Sequence, residues 1–181
     1  EKIKIDLLKN MNKSFWLDFE EKINNDINKN GITKNTLCAL AIKVMSICYF
    51  RVGTQMSLSS EDEDEKHYGT TTLKKKHFSF TKTDVKIEFV GKSGKVNKCT
   101  IKRNSQNDAF FDKLELLYEK ANNDNFFQYD GIQINDIDVR KYLKENKIKL
   151  RPKDFRTFHA NHMLLQFILK NGLAINMKQS Q

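Results

Sequence analysis

Three short stretches carry side chains suited to handling a phosphodiester: Phe50-Arg51-Val52-Gly53, Phe89-Val90-Gly91-Lys92-Ser93-Gly94-Lys95 and Lys153-Asp154-Phe155-Arg156-Thr157-Phe158. An arginine guanidinium is a fork matched to two non-bridging phosphate oxygens, while a lysine is a point charge that can also deliver a proton. Two arginines and a lysine are therefore the set needed to stabilise a pentavalent phosphorane and protonate a leaving oxygen. Each residue alone has a plainer reading. Arg51 could be a cation complementing a helix-end dipole, and Lys92 a surface residue of a polar turn. Arg156 could be a solvated helix residue, although Phe155 and Phe158 set it beside the core.

The elements that must position these residues follow from periodicity. Phe15, Phe19, Ile23 and Ile27 form one apolar stripe on a helix from about Lys13 to Asn28. Gly31 breaks that pattern and Thr33 is a candidate N-cap for a second helix, with Leu37, Leu40, Ala41, Val44, Met45 and Cys48 at helical spacing. That helix is expected to end near Phe50-Arg51-Val52-Gly53, with Gly53 as a left-handed C-cap. The acidic run Glu61-Asp62-Glu63-Asp64-Glu65 reads as a solvated loop, since consecutive acids do not easily converge on one metal ion. From His77 the period becomes two, predicting strands over His77–Phe80, Val85–Val90 and Val96–Ile101, with Ser93-Gly94 turning a hairpin that carries Lys92 at its tip. Phe110, Leu114 and Leu117 restart a helix and Asn122–Asn125 is a loop. Asp136–Asn146 is a short helix, and Pro152 opens a last helix ending near Gly172. The expected class is α+β, a mainly helical body with a small three-stranded antiparallel sheet, in a single domain over residues 1–181.

The chain has 32 Lys and Arg against 23 Asp and Glu, a net charge of +9 and a pI near 9.4. That balance suits a polyanionic partner, because basic side chains that neutralise phosphates release condensed counterions. Lysine enrichment from an AT-rich coding sequence is the plainer alternative. No apolar run approaches the roughly 18–20 residues that span a bilayer, and Glu1–Asp6 does not read as a signal peptide, so no membrane partner is expected. Cys38, Cys48 and Cys99 are odd in number and scattered. They read as free thiols in a reducing intracellular compartment, Cys38 and Cys48 as small core residues, and no Cys/His spacing suggests zinc or another metal.

The order Arg, then Gly-Lys on a hairpin, then Lys-Asp-Phe-Arg-Thr resembles the type IB DNA topoisomerases. The resemblance extends to Tyr68-Gly69-Thr70-Thr71-Thr72-Leu73 followed by Lys76-His77, to Phe126–Asp130 and to Val139-Arg140-Lys141-Tyr142-Leu143. It covers about Lys34 to Ile168 and is closest to the short enzymes of poxviruses, giant viruses and bacteria. It implies a DNA breaking-rejoining catalytic core that relaxes supercoiled duplex DNA without ATP, through a 3′-phosphotyrosyl intermediate. It implies no cofactor, duplex DNA as partner and a monomeric protein, in the nucleus, a cytoplasmic viral factory or the virion if viral. By resemblance, Arg51 and Arg156 clamp the scissile phosphate, Lys92 protonates the leaving 5′-oxygen and Lys153 supports the same phosphate. Tyr68, Lys74, Lys75, Lys76 and His77 are the expected DNA contacts.

The chain departs from the family in three respects. No tyrosine follows Arg156, and Tyr49, Tyr68, Tyr118, Tyr129 and Tyr142 stand at positions the family does not use for attack. His159 and His162 follow Arg156 too closely to match the family histidine and are expected to pack or cap locally. The family's small amino-terminal domain has no counterpart. The expectation is a core truncated at its carboxy-terminal end and inactive alone. A tyrosine recombinase or integrase fragment, a non-catalytic duplex-binding module and the large subunit of a two-chain enzyme are the alternatives. Lys-Asp-Phe-Arg, where recombinases usually carry His-x-x-Arg, favours the topoisomerase.

Overall fold

Apolar residues four apart on a helix must be covered by a neighbour, and here a mostly apolar helix covers them. In this computed structural model, residues 13–59, 66–121 and 125–171 are described. Helix α1 (Lys13–Asn28) buries Phe19, Ile23 and Ile27 against α2 (Lys34–Cys48). Thr33 caps α2 in a reciprocal box with Thr36, satisfying two otherwise orphaned amides. Every residue of α2 from Thr36 to Ile42 is buried, as expected of a central helix with no solvent face.

The sheet packs beside this helix. Strands β1 (Phe78–Phe80), β2 (Asp84–Val90) and β3 (Val96–Lys102) pair antiparallel in chain order, with Ile87 opposite both Phe78 and Cys99. Burial alternates along β2, with Val85, Ile87 and Phe89 inward. Helix α3 (Asp108–Lys120) buries Phe110, Phe111, Leu114 and Leu117. A two-stranded hairpin, β4 (Gln128–Tyr129) and β5 (Ile132–Gln133), turns through Asp130 (φ 47°) and Gly131 (φ 76°). This hairpin is an addition to the three expected strands. Helix α4 (Asp136–Glu145) is capped by Asn135, and helix α5 (Pro152–Asn171) closes the described chain. A buried hydrogen bond ties α4 to α1, Tyr142 donating to Asp26 Oδ2 at 2.5 Å. No helix among the described residues is long and apolar enough to cross a membrane. The acidic run 61–65, residues 122–124 of the expected loop and the expected stop at Gly172 lie outside the described residues.

Two expectations are corrected. Helix α2 stops at Cys48 with Tyr49, not Gly53, in the left-handed cap (φ 57°), its amide donating to the Met45 carbonyl. Arg51 is therefore beyond the helix rather than on its last turn. Cys48 and Cys99 are not free thiols in a reducing compartment. They form a disulfide with Cα atoms 5.6 Å apart, which points to an oxidising environment, while Cys38 is free and buried. Cys48 and Cys99 are brought together by the packing of α2 on the sheet, which cysteine spacing does not report.

Candidate active site

Beyond Tyr49 the chain needs new partners for its backbone polar groups, and a threonine turn supplies them. The amides of Thr70 and Thr71 donate to the carbonyls of Arg51 (2.8 Å) and Val52 (2.7 Å). Their hydroxyls donate to the same two carbonyls, at 3.0 Å each, and Thr71 Oγ1 lies 3.2 Å from the Gly53 carbonyl as well. So close an approach requires two glycines. A Cβ on Gly69 would lie 2.4 Å from the Gly53 nitrogen, and Gly53 itself has φ +84°.

The same segment reaches the sheet. The Tyr68 amide donates to the Val90 carbonyl at 3.0 Å, at the end of β2 and two residues before Lys92. The β2–β3 turn is closed by the Gly91 amide on the Lys95 carbonyl (2.8 Å), with Ser93 and Gly94 left-handed (φ 65° and 67°). Lys92 thus stands on a hairpin rim as the Ser93-Gly94 pair predicts. The residues 68–72 form a strap between the Arg51 segment and the Lys92 hairpin. Sequence reading quoted Gly69 and Thr70–Thr72 as part of a motif but gave them no structural role.

The third cation comes from the start of α5. Buried Asp154 caps this end by accepting from the Arg151 amide (2.7 Å) and pairing with the Arg151 guanidinium (3.0 and 3.1 Å). Phe155 packs on Phe19, and Phe158 on Trp16. With those two inward, helical spacing turns Lys153 and Arg156 outward.

Arg51, Tyr68, Lys92, Lys153 and Arg156 all line one open cleft of about 650 Å³. Arg51 and Arg156 have no carboxylate partner among the described residues, and neither does Lys92. Burial, and secondly the nearby charge of Arg51, pulls the Arg156 pKa below its ordinary value. Uncompensated cations facing one another are a poor arrangement for stability and a good one for an anion. The Tyr68 hydroxyl is buried without a hydrogen-bond partner, as is Nδ1 of His67, another residue of the cleft wall that sequence reading passed over. An orphaned buried donor beside a cationic cleft is the state a bound oxygen would relieve.

Of the expected DNA contacts, only Tyr68 lines the cleft. Lys74 and Lys75 are half-buried and Lys76 is exposed, the Lys75 ammonium lying over the Tyr118 ring and that of Lys76 over the Tyr68 ring. His77 is buried instead of presented. Its Nδ1 accepts from the Lys74 amide at 2.9 Å, and its ring packs on Tyr68. Burial, then Lys76 and Lys74, lowers its pKa from 6.5 to about 4. His159 stacks on Tyr49 and His162 on Phe158, as local packing predicts.

Comparison with known proteins bears on the family and the fold. The family described as "Eukaryotic DNA topoisomerase I, catalytic core" matches residues 9–181. DNA topoisomerase 1B of Acanthamoeba polyphaga mimivirus is 33% identical over 146 residues, which is 75% of this chain and 41% of that protein. The chain thus spans well under half the length of that relative. Among solved structures, the XerH site-specific recombinase bound to its difH substrate before cleavage is similar in fold, with TM-score 0.53 and 15% identity over 90% of this chain and 46% of that one. On these matches the chain belongs to the type IB topoisomerase catalytic-core family, of the eukaryotic and viral kind.

Proposed function

We propose that this chain is the core of an enzyme that relaxes supercoiled duplex DNA without ATP, by transient transfer of a backbone phosphate to a tyrosine. Family membership implies DNA as the partner. The observation that carries the finer reading is one cleft lined by cations from three segments, Arg51, Lys92 and Arg156, without a facing carboxylate. Arg51 and Arg156 grip the two non-bridging oxygens and stabilise the charge that grows on them in the pentavalent transition state. Lys92 gives its proton to the departing 5′-oxygen and takes it back on religation. Lys153 adds charge beside Arg156, and the Tyr68 hydroxyl donates to the seated phosphate.

The nucleophile is a separate matter. Tyr142 is bonded to Asp26, Tyr49 is stacked on His159, and the Tyr68 oxygen is enclosed. Of the five tyrosines, Tyr49, Tyr118, Tyr129 and Tyr142 do not line the cleft, and the one that does, Tyr68, has its oxygen enclosed, so on this reading none of them is the nucleophile. The recombinase likeness rests on fold alone and does not bear on the reaction.

Plasmid relaxation tests this reading. The 181-residue chain is expected to give neither relaxation nor a covalent DNA adduct, and a longer product carrying the tyrosine is expected to relax plasmid without ATP. In that product Arg156→Ala should slow cleavage by about 10²–10³ or more. Lys92→Ala should be rescued by a 5′-bridging sulfur, since a thiolate leaves without a proton. Absence of rescue would overturn the general-acid role, and relaxation by the short chain would overturn the reading of the tyrosines.

A further inference from the structure

A second groove of about 800 Å³ opens beside the first and shares Val52, Pro152 and Lys153 with it. Its rim carries Arg140, Lys144, Lys147, Lys149, Arg151 and Lys153, all exposed, and its one acid, Asp154, is buried under Arg151. Arg140 is paired with Asp136. Lys144, Lys147, Lys149 and Lys153 have no ion-pair partner among the described residues. From 147 to 151 exposure alternates, with Ile148 and Leu150 buried as anchors and Lys147, Lys149 and Arg151 facing out. That is the two-residue period of an extended chain. Alternate side chains along such a chain lie about 6.6–7 Å apart, a separation of the same order as successive phosphates on one DNA strand.

A second observation concerns Lys147. It holds the left-handed position (φ 56°) that ends α4, where the Ile148 amide donates back to the Leu143 carbonyl at 2.9 Å. Glycine is the usual residue at that position, because a Cβ is strained there. A lysine placed where the fold would be more stable with glycine points to a use for its side chain.

We infer that this groove is a second phosphate-binding track, in which Lys144, Lys147 and Lys149 hold the backbone of the duplex flanking the scissile phosphate and Lys153 marks its junction with the cleft. The assignment rests on the DNA-directed reading above. It makes the reacting phosphate one point on a continuous line of contacts and sets the direction in which the duplex leaves the cleft. Track lysines contribute to affinity and register, whereas Arg51, Lys92 and Arg156 act on the reaction itself.

The test is fluorescence anisotropy of the 181-residue chain with a labelled duplex, read across a series of salt concentrations. For each lysine that touches a phosphate, the slope of log K against log salt should fall by about one. Lys147→Gly combined with Lys149→Gln is expected to lower the slope by about two. The single variant Lys147→Gly should melt at the same or a higher temperature than the parent, so lost affinity would not reflect lost fold. An unchanged slope in the double variant, with Arg156→Ala lowering it, would overturn the track and leave the proposed function standing. A fall in melting temperature for Lys147→Gly would make Lys147 a structural residue and also overturn the track. Binding by the parent chain that ignores salt would remove both this inference and the reading it rests on.

Discussion

Tyr68 carries a polar group that the free protein leaves unsatisfied and that the proposed phosphate would satisfy. Its hydroxyl is enclosed and unpaired, a situation that costs about 1–3 kcal/mol. Tyr68→Phe is therefore expected to leave the melting temperature unchanged or raise it. In the tyrosine-bearing product the same change should slow cleavage by roughly 10–100-fold, if the hydroxyl donates to the phosphate. A variant that melts lower and cleaves normally would assign Tyr68 to packing alone. His77 gives a pH dependence of definite sign. Its folded pKa, about 4, lies below the ordinary 6.5, so the folded state binds fewer protons than the unfolded one between those values. The stability it contributes is complete above about pH 6.5 and is lost as the pH falls toward 4. The drop in melting temperature over that range should be shallower in His77→Gln than in the parent, since the variant removes the titrating ring.

At the scale of elements, the site depends on a strap whose regular structure is one 3₁₀ turn, Thr70–Thr72. Residues 68–72 bind the carbonyls of Arg51 and Val52 on one side and Val90 on the other, so one short segment sets where two of the cleft's cations stand. Gly69→Ala would drive a methyl group into the backbone of Gly53, which cannot swing aside as a side chain could. The expected result in urea unfolding is a loss of about 2–4 kcal/mol, with phosphate binding at Arg51 lost even where the variant still folds. The sequence displays α1, the three strands and the Thr33 cap because each is a local pattern of period or capping chemistry. It hides the strap because threonine hydroxyls that take carbonyls 18 or 19 residues away leave no periodic trace. Tyr49 as the left-handed cap is equally hidden, since a glycine four residues on is the more obvious candidate. The Asp130-Gly131 turn was legible and passed over: that pair between Tyr129 and Ile132 is a strong short-range hairpin signal.

For the whole molecule, the net charge of +9 suits the DNA partner that the family implies, but charge alone does not locate it. The fold faces cations from the Arg51 segment, the Lys92 hairpin, α4 and α5 into two adjoining grooves, which is where the proposed function seats the DNA. The order of the three cationic motifs was enough to suggest the cleft because that order resembles the one in the type IB topoisomerases. The pairing of Cys48 with Cys99 was not, because it depends on how α2 meets β3. Closing a loop of 51 residues stabilises the fold by about 4 kcal/mol through the entropy of the unfolded chain. Cys48→Ser with Cys99→Ser, or reduction of the parent, should shift denaturant unfolding by about that amount. No shift would mean that the bridge is not formed in solution.

The same bond makes residues 48 to 99 a closed ring, and Arg51, the strap and Lys92 all lie on it. A single backbone cut anywhere between residues 49 and 98 would open the ring without releasing a piece. On a gel the cut protein would run as one chain until a reductant was added, and then as two. Arg51 and Lys92 thus belong to one cyclic unit, while Arg156 reaches the same cleft from a helix outside it.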